Sequence, residues 1–127
     1  MQEKDLFEYA VIRVVPRVER EEFLNVGVVL YCAKQKFLKM LFRLNEKRLY
    51  VFCSDCNTDD VNEYLVAFER ICTGSNDAGP IGKLSMAERF RWLTATRSTV
   101  IQTSKVHPGF CEDAEEMLQK LFGQLAE

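Results

Sequence analysis

A chain of 127 residues that is 47% hydrophobic and 28% charged has the size and balance of one folded domain over residues 1–127, which excludes a disordered polymer. Its net charge of −2 gives no overall pull toward nucleic acid or an anionic membrane. The start Met-Gln-Glu-Lys-Asp-Leu-Phe-Glu is charged throughout and lacks the apolar core expected of a secretory signal, and the longest apolar run, Val26 to Ala33, is far short of a membrane span, which takes roughly 18 residues. Five cysteines with no mark of secretion read as free thiols in a reducing cytoplasm.

Phe7 to Val15 alternates as a β-strand and is closed by Pro16. A charged turn, Arg17 to Glu22, leads into a second strand from Phe23 to Cys32, with Leu24, Val26, Val28 and Leu30 expected on one face. Ala33 to Lys36 is a tight link to a third strand, Phe37 to Leu44, whose Leu38, Met40, Phe42 and Leu44 share a face. Links this short impose antiparallel pairing, so the three strands form a meander.

The pattern then turns helical. Asn57 is the expected N-cap of a helix with Asp59 and Asp60 in its first turn. Val61, Tyr64, Leu65, Phe68, Ile71 and Cys72 form its apolar stripe, and Gly74 stops it. After a Gly/Asn/Pro loop, Ser85 to Glu88 has the form of a capping box and opens a short helix that buries Met86, Phe90 and Leu93. Ser98 to Ser104 reads as a fourth strand. A last helix from Glu112 to Leu125 buries Ala114, Met117, Leu118, Leu121, Phe122 and Leu125. The order predicts the α+β class: an antiparallel four-stranded sheet, a three-strand meander plus one later strand, with two main amphipathic helices packed on one face.

Charge singles out one segment. Gly79 to Gly109 holds five cationic residues against one acid, Glu88, a local charge of +4, while the remainder of the chain sums to −6. Arg89, Arg91 and Arg97 are candidates for gripping an anion, because a guanidinium offers paired donors that a lysine lacks. Trp92 offers a stacking surface or an interface anchor, and Ser98 and Gln102 lie close enough in sequence to share a pocket with Arg97. Arg13 and Asn25 sit on the other face of the first two strands, with Gly27 marking a close approach of backbone or ligand. The segment either folds over that face, with Arg13 and Asn25 anchoring its loops, or leaves a groove there.

His107 is the one histidine, the residue type suited to proton transfer, in a Val-His-Pro-Gly turn, without the nucleophile or acid that would complete a triad. Cys53-Ser-Asp-Cys56 could join His107 and Cys111 in a zinc set, but a lone Cys-x-x-Cys outside a βαβ setting favours ordinary thiols, so no metal and no cofactor is expected. Walker, dinucleotide, HExxH and EF-hand signatures are missing.

Phe7-Glu-Tyr-Ala-Val-Ile-Arg-Val-Val-Pro, Glu22-Phe-Leu-Asn-Val-Gly-Val-Val-Leu-Tyr, and the stretch Gly79-Pro-Ile-Gly through Glu88-Arg-Phe-Arg-Trp-Leu-Thr to Val106-His-Pro-Gly together resemble a bacterial domain-of-unknown-function family, numbered 3037. The resemblance implies that Arg13, Asn25, Gly27, Arg89, Arg91, Trp92, Arg97, Ser98, Gln102 and His107 are motif residues. It also suggests a HipA-like kinase as a partner. Cys53 and Cys56 depart from the pattern, which further weakens the metal reading. Without a catalytic constellation, the leading expectation is a small non-enzymatic binding or adaptor module with an arginine-rich surface. The alternative is a hydrolase or transferase acting on a phosphorylated or nucleotide substrate through Arg97 and His107. The acidic remainder of the chain and the want of a binding motif argue against nucleic acid as the partner.

Overall fold

The computed structural model describes residues 3–126. Three long strands, β1 (Asp5–Val14), β2 (Leu24–Cys32) and β3 (Phe37–Phe42), form the antiparallel meander. A short helix α1 (Glu46–Phe52) and the long α2 (Thr58–Thr73) follow, then α3 (Met86–Thr94), two short strands β4 (Ile101–Thr103) and β5 (His107–Cys111), and α4 (Ala114–Leu125). The sheet order is β3-β2-β1-β4, and β5 pairs antiparallel with the other half of β1. Between them Ser104 keeps the ladder closed: its N–H donates to the Val11 carbonyl at 2.8 Å and its Oγ accepts from Val11 N–H at 2.8 Å. The α+β class with an antiparallel sheet is therefore as expected, with a fifth strand added. None of the helices among the described residues is long and apolar enough to cross a membrane.

Local signals place the helices. Asn57 Oδ1 accepts from Asp60 N–H at 3.1 Å at the start of α2. Ser85 Oγ accepts from Glu88 N–H at 3.2 Å and donates to Glu88 Oε1 at 2.9 Å, so the capping box is formed. Gly74 ends α2 at φ 71, and a Cβ there would lie 3.0 Å from Arg89 Nη1. Two demands thus fall on this one position: a left-handed backbone and room for a guanidinium.

The helices are divided differently from the expected arrangement. α2 and α3 pack Val61, Leu65, Phe68, Cys72, Phe90 and Leu93 against Ala10, Ile12 and Val14 on one face of the sheet. α4 packs Ala114 and Leu118 against Phe7, Val28, Leu30 and Cys32 on the other. The two main amphipathic helices therefore lie on opposite faces, and the sheet is covered from both sides. The cause is in the strands: β1 and β2 carry apolar residues on both faces, and a sheet apolar on both faces needs two cover layers.

A β-bulge also changes which side chains share a face. Ile12 pairs with Gly27 but Arg13 pairs with Asn25, so Val26 is the extra residue. Val26 and Val29 consequently belong to the α2/α3 core, whereas Val28 and Leu30 belong to the α4 core. Simple alternation, which put Val26, Val28 and Leu30 together, fails at this point. Gly27 is required because β3 comes close here: a Cβ would lie 2.8 Å from the Phe42 Cβ and collide with the Leu41 carbonyl. The close approach is backbone, not ligand.

Candidate functional site: an apolar groove beside Arg97

The cationic segment does not lie over the Arg13/Asn25 face. α3 buries Phe90 and Leu93 in the α2/α3 core, and Arg13 alternates to the opposite face of β1. The nine candidate residues accordingly separate into groups.

Trp92 and Arg97 form the first. Trp92 packs against the α2/α3 core with its ring centroid 6.4 Å from that of Phe68. The Arg97 guanidinium sits 4.4 Å from the Trp92 ring centroid and 5.5 Å from that of Phe68. Its Nη2 donates to the Trp92 carbonyl and its Nε to the Ala95 carbonyl at 3.3 Å. These carbonyls belong to the last turn of α3 and the residue that caps it, where a cation is favoured. Burial draws the Arg97 pKa below the usual arginine value, but a guanidinium stays charged at any physiological pH. Among the described residues no carboxylate forms an ion pair with it; Glu115 of α4, for one, is held by Lys39 at 2.6 Å.

Arg97 stands at the wall of an apolar groove of about 500 Å³ between α2, α3 and the approach to β4. Tyr64, Phe68, Ile71, Trp92 and Val100 supply most of the apolar lining. Tyr64, on the expected buried stripe of α2, is instead 53% exposed and forms part of this wall. A volume of this size holds a large side chain or a small ligand. The chemistry on offer is apolar burial next to a single tethered cation.

The second group, Arg13, Asn25, Gln102 and His107, lies on the α4 side. Asn25, Arg13 and Gln102 are register partners across three strands. Arg13 stacks on Phe23 at 3.9 Å, and Asn25 Nδ2 donates to the Leu125 carbonyl at 3.3 Å, tying β2 to the end of α4. Gln102 Nε2 is engaged with the Thr99 carbonyl at 2.8 Å. His107 is exposed, pairs with Tyr9 in the ladder and packs its ring 5.3 Å from that of Tyr9. Its segment is thus a strand rather than a turn. Arg97 and His107, joined in the enzymatic alternative, are on opposite faces of the sheet.

The remaining three stand apart. Arg89 is a structural clamp: its Nη1 donates to the Leu84 carbonyl at 2.8 Å and rests on the end of α2 at Gly74. Arg91 and Ser98 are exposed, on α3 and in the following loop. No single cleft gathers the nine. Sequence reasoning named Trp92 and Arg97 but missed Tyr64, Ala67, Phe68, Ile71 and Val100; the available signal was a stripe on α2 wider than one buried contact needs.

The four possible zinc ligands do not meet. Cys111 is buried beside Cys32, His107 is against Tyr9, and Cys53 and Cys56 adjoin each other between α1 and α2. Among the described residues no cluster of three or more His, Cys, Asp or Glu could hold a metal ion. Burial, helped by Cys53, pushes the Cys56 thiol up to about 11. The thiolate is the reactive form, so alkylation of Cys56 at pH 8 is expected to run roughly a hundredfold slower than for an unperturbed thiol, and to accelerate as pH rises toward 11. Iodoacetamide labelling followed by peptide mass spectrometry reads this directly; fast labelling at pH 8 would contradict it.

No match emerges among curated proteins or among solved structures. The family model described as Protein of unknown function (DUF3037) matches residues 9–126, nearly the whole chain, which takes in the meander, the Trp92/Arg97 segment and α4 alike. The chain belongs to this family.

Proposed function

We propose that this protein is a non-enzymatic binding module that takes an apolar group of a protein partner into the α2/α3 groove and sets an adjacent carboxylate on Arg97. The observation that carries the reading is Arg97 itself: a guanidinium held over Trp92 by two carbonyls, with no acid of its own among the described residues, at the edge of an apolar groove. Stacking and tethering order the side chain before the partner arrives, which lowers the entropy lost on binding. Tryptophan and arginine are also the residue types most often dominant in interfaces. A hydrolase or transferase using Arg97 with His107 would need the two on one side, and a whole sheet separates them. The five cysteines, all free thiols, suit a module working in a reducing cytoplasm. A HipA-like kinase is the partner class to look for first.

Ala67 gives a clean test, because it is exposed and lines the groove. Ala67→Glu fills the groove and offers Arg97 an internal acid, while Glu is a good helix former. In capture experiments from the native cell, the wild-type protein and His107→Ala are expected to retain one common partner that Ala67→Glu loses. Equal retention by all three contradicts the reading.

A further inference from the structure

The groove beside Arg97 does not end there. It shares Tyr64 and Val100 with a second depression of about 280 Å³ that runs past Asp60 and Asn57 to Pro16 and Arg17. That in turn shares Pro16, Arg17, Cys53 and Asp55 with a third, of about 210 Å³, bounded by Val51 and Phe52 of α1. Set end to end, the three depressions make a trough that follows α2 from its C-terminal turn to the end of α1. Resting on the binding reading above, we propose that this trough receives an extended acidic–apolar peptide segment of the partner, about six or seven residues long and anchored at both ends.

Length, charge and apolar surface each contribute. Asn57 to Ile71 is fourteen helical steps, about 21 Å at 1.5 Å per residue, which an extended chain covers in six or seven residues. One end has the deep apolar groove and the unpaired Arg97, so it takes an apolar residue with Asp or Glu beside it. The middle already holds its own ion pair, Arg17–Asp55 at 3.0 Å, and the acid Asp60, so it favours uncharged polar residues. The far end is lined mainly by polar side chains already paired with each other, Arg17 with Asp55 and Arg20 with Glu22. Its apolar surface is two consecutive residues of a helix that buries only Leu49: Val51, 86% exposed, and Phe52, 37%. Apolar surface of that kind is a second anchor point.

The mode of binding is side-chain docking and not strand addition. On the neighbouring edge, the Ile101 carbonyl accepts from Thr99 Oγ1 and the Thr99 carbonyl from Gln102 Nε2, each at 2.8 Å. Pro108 removes an N–H farther along the same edge in β5. An edge occupied by its own side chains offers a peptide backbone little to pair with.

A displayed library of random linear twelve-residue peptides tests the proposal, with affinities read from the emission of Trp92, the one tryptophan. The expected result is a consensus with two apolar residues about five or six positions apart and an acid next to one of them. Affinity should fall at least tenfold in Arg97→Ala and, separately, in Val51→Ser or Phe52→Ser. Failure to enrich, a consensus without an acid, or binding indifferent to both α1 variants overturns the extended trough. Capture from cells separates this from the underlying reading. Sensitivity to Ala67→Glu with indifference to Val51→Ser and Phe52→Ser refutes the trough alone, and indifference to all three refutes both.

Discussion

Arg97→Ala is expected to weaken binding of the captured partner by about 2 kcal/mol or more, roughly thirtyfold, as measured by isothermal titration calorimetry. The side chain makes two kinds of contact at once. Its guanidinium lies over the Trp92 ring and its Nε and Nη2 hold carbonyls at the end of α3, which leaves its remaining donors available at the groove wall. A carboxylate set there gains a charge-assisted hydrogen bond with little ordering cost. Loss of the two tethers should lower the stability of the free protein by about 1–2 kcal/mol, small enough to leave a folded protein by circular dichroism. Arg97→Lys keeps the charge but not the planar fork, and is expected to recover only part of the affinity. Unchanged affinity in the alanine variant would remove Arg97 from recognition.

The largest stability effect is expected at Gly27. Gly27→Ala adds one methyl group where the β3 backbone leaves no room, with the Phe42 Cβ at 2.8 Å and the Leu41 carbonyl closer still. Neither obstacle is the free end of a flexible side chain, so relief requires β2 and β3 to separate at the bulge. The expected loss is about 3 kcal/mol, the upper part of the usual range for overpacking. Urea unfolding of the two proteins measures it. A variant within 0.5 kcal/mol of wild type, the ordinary range for an innocuous substitution, would show that the strands are not this close.

How far the fold could be read from the chain depended on how local each signal was. The stripes of α2, α3 and α4, the caps at Asn57 and Ser85 and the stop at Gly74 involve neighbours in sequence, and these elements are where periodicity puts them. β5 was read as a turn because Pro108 and Gly109 normally break strands; pairing along the free edge of β1 overrides that preference, and Gly109 lies against the ring of Phe7. α1 has a single buried residue, Leu49, and so no stripe to detect.

The candidate site was harder still, because its members depend on which face of the sheet each element covers. One bulge residue, Val26, reverses the alternation of β2, and both faces of β1 are apolar. Grouping Arg13 and Asn25 with Arg97 followed from placing both main helices on one face, which left the other face for the cationic segment. The chain's own hint was present: Ala10-Val11-Ile12 and Val28-Val29-Leu30 are unbroken apolar runs, the mark of strands buried on both sides. Arg97 and Trp92 remained identifiable because charge imbalance and a lone tryptophan need no topology to be noticed.

A chemical-shift map of the isotope-labelled protein, titrated with the captured partner, tests the central claim most directly. The account predicts shifts at Tyr64, Phe68, Ile71, Trp92 and Val100, with Tyr9, Asn25 and His107 unmoved. Shifts concentrated at Tyr9, Arg13, Gln102 and His107 would put recognition on the α4 side of the sheet and contradict it.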